Sequence, residues 1–164
     1  MHEPITPRAV DAAEIGQLAR LWCDAWHETH ARLAPPDLTR LRTLDSFAMR
    51  LRAAHANIRA VGPPGAAVGF NVTKDDEVYQ LFVAPAARGT GAARALLDDA
   101  ETRLRAAGVQ RAWLACAIGN ARAARFYEKS GWRLAGTVVD LLETSAGAFP
   151  LEVWRYEKPL TGGM

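Results

Sequence analysis

The feature that most constrains this chain is a glycine-rich loop between an apolar strand and an amphipathic helix. The strand candidate covers residues 78–83, Pro85 ends it, and a loop of small residues follows at positions 88–93. Over residues 93–107 apolar side chains recur at helical spacing, and Gly108 stands where a C-terminal cap is expected. Such a turn directs backbone N–H groups and the positive end of the helix dipole at one place. It predicts either an anion site or simply a tight turn.

Two familiar phosphate loops do not fit this segment. A Walker A loop ends in Gly-Lys-Ser or Gly-Lys-Thr, whereas Gly91 is followed by two alanines. A dinucleotide fingerprint that began at Gly89 would need glycine or alanine at position 94, which is Arg94. The preceding segment also reads as an antiparallel meander, unlike the βαβ start of a Rossmann domain. These spacings argue against both sites.

The remaining pattern predicts one α/β (α+β) domain over residues 1–160, since a chain of 164 residues fits a single domain. We expect a mixed central sheet of about seven strands with helices on both faces. Two helices precede the long strands: one behind a capping box of Asp11 and Glu14, the other from Asp37 to Ala54. The expected strands cover residues 5–9, 58–61, 67–72, 78–83, 111–118, 132–142 and 149–156.

Composition narrows the classes of function. The chain is 49% hydrophobic and 23% charged, with a formal net charge of +2 and arginines spread along the helices, so we expect no nucleic-acid partner. Cys23 and Cys116 lack the short spacings of metal or redox sites, so no metal is expected. The sequence has neither an apolar run of about 18 residues nor a signal-peptide pattern at its start, which favours a cytoplasmic protein without membrane contact.

A second motif follows residues 111–118, an apolar run typical of a strand buried on both faces. Asn120 can cap the short helix that comes next. The motif itself reads Asn-x-x-Ala-x-x-Phe-Tyr-x-x-x-Gly-Trp and comprises Asn120, Ala123, Phe126, Tyr127, Gly131 and Trp132. The earlier loop reads Arg-x-x-Gly-x-Ala and comprises Arg88, Gly89, Thr90, Gly91, Ala92 and Ala93.

Together the two motifs resemble the GNAT superfamily of acyl-CoA-dependent N-acetyltransferases. The loop matches that family's signature Gln/Arg-x-x-Gly-x-Gly/Ala, and the second motif matches its Asn-x-x-Ala-x-x-Phe-Tyr-x-x-x-Gly-Phe pattern, with Trp132 in place of the final Phe. The order of predicted elements also agrees with the family. The resemblance is specific between Glu77 and Trp132 and weak over residues 1–60.

The resemblance implies how acetyl-CoA would be bound. In the family, two neighbouring parallel strands splay apart and the pantetheine arm inserts between them. Here those strands would be residues 78–83 and 111–118, with the thioester between Leu81 and Tyr127. The implied cofactor-binding residues are Leu81, Phe82, Val83, Arg88, Gly89, Thr90, Gly91, Ala92, Ala93, Asn120, Ala123 and Phe126.

The resemblance also implies two catalytic residues. Tyr127 corresponds to the family's tyrosine that gives a proton or a hydrogen bond to the departing thiolate; otherwise it is a core aromatic. Glu77 corresponds to a glutamate that acts as general base in some members, directly or through water; otherwise it is a solvated carboxylate of an acidic turn. Regular strand alternation would place Glu77 on the same face as Tyr79 and Leu81.

The acceptor site in this family is usually built by the first helices and the last hairpin. Trp26 and His30 share one helix face and are candidate substrate contacts, although a histidine beside tryptophans is often only packed. Glu152, Trp154 and Tyr156 alternate onto one strand face and are equally ambiguous.

The implied function is transfer of an acetyl or short acyl group from acetyl-CoA to a primary amine, by direct attack in a ternary complex. The acceptor is a small molecule or a peptide, and a homodimer is possible. The alternative is a non-catalytic acyl-CoA sensor or regulatory module. A nucleic-acid- or protein-binding module would require a basic stripe, which the dispersed charge disfavours.

Overall fold

The computed structural model describes residues 5–160, which form a seven-stranded mixed sheet with helices on both faces, as expected. The sheet order is β1-β2-β3-β4-β5-β7-β6. The strands are β1 (Arg8–Ala9), β2 (Ile58–Val61), β3 (Gly69–Lys74), β4 (Glu77–Val83), β5 (Arg111–Ala117), β6 (Arg133–Thr144) and β7 (Gly147–Pro159). The helices are α1 (Ile15–His30), α2 (Pro36–Leu41), α3 (Leu44–Ala53), α4 (Ala92–Ala106) and α5 (Ala121–Lys129). None of the helices described is long and apolar enough to cross a bilayer.

The sheet divides into an antiparallel half and a half that contains one parallel junction. Strands β1 to β4 are paired antiparallel in sequence order, and β7 lies between β5 and β6. The junction is between β4 and β5, which run parallel because α4 connects them. Only Glu77 and Trp113 are paired there, so the two strands separate after one residue pair. The sheet is therefore open between β4 and β5.

A bulge on β4 accompanies this opening. Thr73 pairs with Val78 and Val72 pairs with Gln80, which leaves Tyr79 as an extra residue on β4. The extra residue reverses the alternation of the strand: Tyr79 packs toward α1 and α3, whereas Leu81 packs toward α4. The expectation that these two side chains share a face was wrong, because strict alternation holds only in an unbulged strand.

Aromatic side chains fix the first helices to one face of the sheet. The ring of Trp22 on α1 lies 4.7 Å from that of Phe47 on α3 and 5.6 Å from that of Phe70 on β3, centroid to centroid. All three side chains are at most 1% exposed. On the opposite face, Leu96 and Leu97 of α4 are fully buried against the sheet. The β4–β5 opening therefore lies between two tightly packed layers.

The second predicted helix is broken into α2 and α3. Thr43 has extended dihedral angles, and its hydroxyl accepts a hydrogen bond from the N–H of Ser46, so a new helix begins there. The residue before it, Arg42, is only 3% exposed and donates from Nη1 to the main-chain carbonyl of Glu143 at 2.6 Å. That bond joins residues 101 positions apart. The cap at Thr43 and the long-range bond of Arg42 both mark this break, and neither is visible in the apolar periodicity that predicted one helix.

Two strand predictions also need correction. The first strand covers only Arg8 and Ala9 instead of residues 5–9. Strand β5 is not buried on both faces, because Trp113, Ala115 and Ala117 are only half-buried while the alternate side chains are buried. Because β4 separates from β5 after Trp113, the side chains of these three residues border a cavity.

Because β3 packs closely against β4 and α4, two glycine-to-alanine substitutions should change the free energy of unfolding in opposite directions. A Cβ on Gly69 would lie 2.9 Å from the carbonyl oxygen of Phe82 and 3.0 Å from Leu96, whereas a Cβ on Gly16 would meet nothing within 4 Å. We expect Gly69→Ala to lower the free energy of unfolding by about 1–3 kcal/mol. Gly16→Ala in α1 should raise it by about 0.5–1 kcal/mol. Urea unfolding of both variants measures the pair, and equal effects would contradict this packing.

Candidate active site

Two cavities meet at the opening between β4 and β5. The loop cavity, of about 430 Å³, lies beside residues 88–93 and the start of α5. The hairpin cavity, of about 270 Å³, lies between the first three helices and the β6–β7 hairpin. Five residues line both: His30, Tyr79, Gln80, Ala115 and Ala117. Two of these, Tyr79 and Gln80, are the bulged residue and its neighbour, so the bulge marks the passage between the cavities.

The loop cavity brings together most residues predicted to bind the cofactor. Thr90 and Ala92 are not among its lining residues: the Thr90 hydroxyl donates to the Ala87 carbonyl and accepts the N–H of Ala92 at 3.3 Å, which fixes the turn from within. For these two, cofactor contact stays a prediction. The predicted residues that line the cavity are Leu81, Phe82, Val83, Arg88, Gly89, Gly91, Ala93, Asn120, Ala123 and Phe126, together with Tyr127.

The glycines make the loop accessible to a ligand. Gly89 and Gly91 have φ angles of +79° and +93°, a region that disfavours residues with a side chain. Space around the Cα of Gly89 is open, because a Cβ there would meet nothing within 4 Å. Gly91 caps the 15-residue helix α4, so the free N–H groups of the first turn and the positive end of the helix dipole lie beside this space. The arrangement suits a phosphate group.

Two further contacts shape the loop cavity. Arg88 is held by Glu28 of α1, with 3.3 Å between Nη1 and Oε1, so its guanidinium is shared between the loop and that helix. Asn120 caps α5, because its Oδ1 accepts the N–H of Ala123 at 3.3 Å. The predicted capping role of Asn120 is confirmed, and its side-chain amide remains available as a donor.

Tyr127 lies at the inner end of the loop cavity. Its ring packs against Phe126, Trp132 and Tyr156, with centroids 5.4, 6.5 and 6.1 Å away. Burial, and secondarily the neighbouring thiol of Cys116, raises the pKa of Tyr127 above its ordinary value. The phenol therefore keeps its proton at neutral pH and can act as a hydrogen-bond donor.

Glu77 belongs to the hairpin cavity, at the point where β4 leaves β5. Burial, and then the negative charge of Asp140, raises the pKa of Glu77 to about 8, although Lys74 opposes the shift. A carboxyl group whose pKa lies near physiological pH can both accept and release a proton, as a general base must.

His30 and Trp26 stand side by side on α1, as their spacing predicted. Their rings are stacked 5.5 Å apart with an interplanar angle of 18°. Burial lowers the pKa of His30 to about 4, so this histidine is neutral at physiological pH. His30 lines both cavities, whereas Trp26 is buried and lines only the hairpin cavity.

Of the three ambiguous residues on β7, only Glu152 lines the hairpin cavity. Trp154 lines neither cavity, and Tyr156 is buried, with its hydroxyl donating to Glu128 at 2.7 Å. Sequence reasoning missed several polar residues of this cavity. They come from α3, the turn before it, β3, β4 and β6: Arg42, Arg50, Lys74, Tyr79, Gln80 and Glu143. No local motif marks them, because they come from separate elements that are brought together only in the folded hairpin cavity.

Comparison with known proteins agrees with this architecture. The model of the Acetyltransferase (GNAT) family matches residues 17–132. An uncharacterized N-acetyltransferase of Mycobacterium tuberculosis is 39% identical over 64 residues, which are 39% of this chain and 41% of that protein. A mycothiol acetyltransferase of Beutenbergia cavernae is 50% identical over 56 residues, which are 34% of this chain and 19% of that protein. The matches thus span about two-fifths or less of these relatives.

Solved structures share the fold over nearly the whole chain. A GCN5-related N-acetyltransferase from Rhodopseudomonas palustris superposes with a TM-score of 0.73 at 19% identity, covering 97% of this chain and 99% of that one. A putative acetyltransferase from Salmonella typhimurium, solved with acetyl-CoA, gives 0.72 at 17% identity, covering 99% and 97%. Since the family model covers more than half of the sequence and these folds agree, the chain belongs to the GNAT family of acetyltransferases.

Proposed function

We propose that this protein is an N-acyltransferase, which moves an acetyl or short acyl group from acetyl-CoA to a primary amine within a ternary complex. The observation that carries the proposal is the passage at Tyr79 and Gln80, where two cavities meet through the open sheet. A donor in one cavity and an acceptor in the other would meet at the residues that line both. The proposed unit is the single domain of residues 1–160, and its cytoplasmic location stays a prediction.

The loop cavity fits coenzyme A on three grounds. The open space over Gly89 and the free N–H groups at the start of α4 suit a pyrophosphate. Among residues 5–160, no strand pairs with the open edge of β4 after Glu77, so the main-chain groups on that edge are available to an extended ligand. When bound, acetyl-CoA would supply the activated acyl group. We propose that the residues lining this cavity hold it, with Thr90 and Ala92 supporting the turn.

A main-chain N–H around Leu81 or Phe82 is the proposed stabiliser of the carbonyl oxygen of the thioester. Because successive N–H groups of a strand point to opposite edges, one of these two is directed at β3 and the other at the edge left open by β5. Both residues line the loop cavity. Fixed donors aimed at an oxygen that gains negative charge lower the barrier without reorganisation.

Tyr127 is the proposed hydrogen-bond donor to the sulfur as the thiolate leaves. Its raised pKa makes complete proton transfer to the departing thiolate unfavourable, since an ordinary thiol has a pKa of about 8.5. A hydrogen bond that strengthens as charge develops on sulfur is therefore the better role.

Glu77 is the proposed base, and it would act through water. Glu77 and Leu81 are four positions apart on β4, and a strand rises about 3.3 Å per residue, so the two lie up to about 13 Å apart. Direct proton transfer requires contact at about 2.6–3.2 Å. One or more water molecules in the passage beside Gln80 would relay the proton from the ammonium group to Glu77.

Coenzyme A binding at the loop can be tested with matched glycine variants. Gly89 and Gly108 flank α4, have φ angles of +79° and +89°, and have open space around them. Valine should strain the backbone similarly at both positions, but only Gly89→Val places a side chain where a pyrophosphate would lie. We expect Gly89→Val to weaken coenzyme A binding about tenfold or more, and Gly108→Val to leave it unchanged, by calorimetry. Equal affinities in the two folded variants would contradict the site.

The two proposed catalytic residues should respond differently to pH. Tyr127→Phe keeps the ring but removes the donor, so kcat should fall about 10²-fold at every pH, with coenzyme A affinity preserved. Glu77→Gln should lower kcat/KM and remove the inflection near pH 8 that Glu77 contributes, leaving only the rise at higher pH that comes from deprotonation of the amine itself. Thiol release with a panel of amines measures both profiles.

Unfolding experiments provide a control for Glu77 that does not depend on turnover. Between about pH 4.5 and 8 the folded protein keeps a proton on Glu77 that the unfolded chain releases, so folding stability should fall as pH rises through this window. In Glu77→Gln that contribution to the fall should vanish. An unchanged activity profile in Glu77→Gln, despite this shift in stability, would assign the base to another group. Coenzyme A binding without turnover of any amine would instead favour the non-catalytic sensor.

A further inference from the structure

Two arginines form one end of the hairpin cavity. Arg42 is 3% exposed, and the guanidinium carbon of Arg50 lies 4.4 Å from the ring centre of Trp22. The Nε atoms of both arginines are buried and have no hydrogen-bond partner within residues 5–160. The two cations meet around Glu143, because Arg42 donates to its main-chain carbonyl and Arg50 is joined to its carboxylate through the Tyr79 hydroxyl. Burial, and then the charge of Arg50, lowers the pKa of Arg42 to about 10. Two like charges with unused donors favour an anion between them or beside them.

The protein itself does not supply that anion. In the part of the chain that the structure describes, neither Arg42 nor Arg50 forms an ion pair. The neighbouring acid, Glu143, accepts hydrogen bonds from Lys74 at 3.0 Å and from the Tyr79 hydroxyl at 3.3 Å. Arg50 reaches it only indirectly, since its Nη2 donates to that same hydroxyl at 3.0 Å. The cavity therefore retains uncompensated positive charge at this end.

Three acidic side chains line the same cavity around Glu77: Glu77 itself, Asp140 and Glu152. Asp140 is close enough to raise the pKa of Glu77, and Lys74, which pairs with Glu77 between β3 and β4, opposes that shift. Asp140 and Glu143 stand three residues apart on β6, which corresponds to about 10 Å along a strand. Carboxylates around Glu77 and arginines beside Glu143 match a molecule that carries an ammonium group at one end and an anionic group at the other.

We propose that the acceptor is a small amino-acid-type molecule, whose carboxylate binds to Arg42 and Arg50 while its amine points toward Glu77 and the passage. This inference rests on the proposed acyltransferase function and adds the class of acceptor. The fork of an arginine side chain matches the two oxygens of a carboxylate. The volume of about 270 Å³ is at the small end of ligand sites, which favours a free amino acid over a long peptide.

Turnover tests the proposal with amines that differ only in the carboxylate. The probes are leucine, methionine and glutamate, each beside its α-carboxamide and its decarboxylated amine, with acetyl-CoA and thiol release as the readout. We expect at least one amino acid to be acetylated with a kcat/KM about tenfold or more above both neutral partners. Arg50→Gln should remove that preference by raising KM for the amino acid only. Arg52→Gln, an exposed arginine on the same helix, is the control and should leave it intact.

Binding tests the proposal independently of catalysis. The N-acetyl derivatives of the same amino acids, beside their C-terminal amides, are titrated into the coenzyme A complex of each protein by calorimetry. The proposal is supported if at least one acid binds more tightly than its amide to wild type and to Arg52→Gln, and if this difference is lost in Arg50→Gln. The same result without any turnover would contradict only the acyltransferase function. The proposal would be overturned if the enzyme preferred neutral amines, or if Arg50→Gln lost the same affinity for the acid as for the amide. It would also be overturned if free sulfate were the only anion that bound. Retained coenzyme A affinity shows that Arg50→Gln is folded.

Discussion

The separation of β4 from β5 is the constraint on which the rest of this structure depends. A parallel pair normally continues its hydrogen bonds along both strands, but here a single pair, Glu77 with Trp113, joins them. The bulge at Tyr79 bends β4 at the position where the strands part. If β4 and β5 stayed paired, the sheet would be continuous and the two cavities would be separate. The main-chain groups of β4 would then be hydrogen-bonded to β5.

Bonds on both sides of the opening hold it in shape. On the β4 side, Arg103 of α4 donates to Asn71 and Thr73 of β3 and to Asp99, and Asn71 in turn donates to the Leu96 carbonyl, so β3 is locked to the helix. These interactions keep the antiparallel half of the sheet aligned with the glycine-rich loop that precedes α4.

The β5 side is fixed by a separate set of contacts. The indole of Trp113 donates to Asp76 at 3.0 Å, and the guanidinium of Arg155 lies 4.4 Å from its ring centre. Farther along, Glu101 of α4 accepts bonds from Trp132 at 3.1 Å and from Lys158 of β7 at 2.8 Å. Because α4 is bonded to both halves, the opening is a fixed feature of the fold and not a defect in strand pairing.

The family, the sheet and most residues of the loop cavity could be predicted from the sequence. The glycine-rich loop and the helix capped by Asn120 are local motifs, and they carried these predictions. The sequence was insufficient for the hairpin cavity. Period-two alternation cannot anticipate the extra residue at Tyr79, and a helical pattern cannot anticipate the break at Arg42, which depends on a carbonyl 101 residues away. Both features lie outside the periodic patterns, and both affect which polar groups line the hairpin cavity.

A crystal structure of the protein with coenzyme A would test the central claim most directly. The account predicts electron density for the pantetheine arm in the opening between β4 and β5, hydrogen-bonded to main-chain groups of residues 81–83, with the pyrophosphate over Gly89 and Gly91. Density for the coenzyme on any other surface, or an opening closed by continued pairing of β4 with β5, would contradict it.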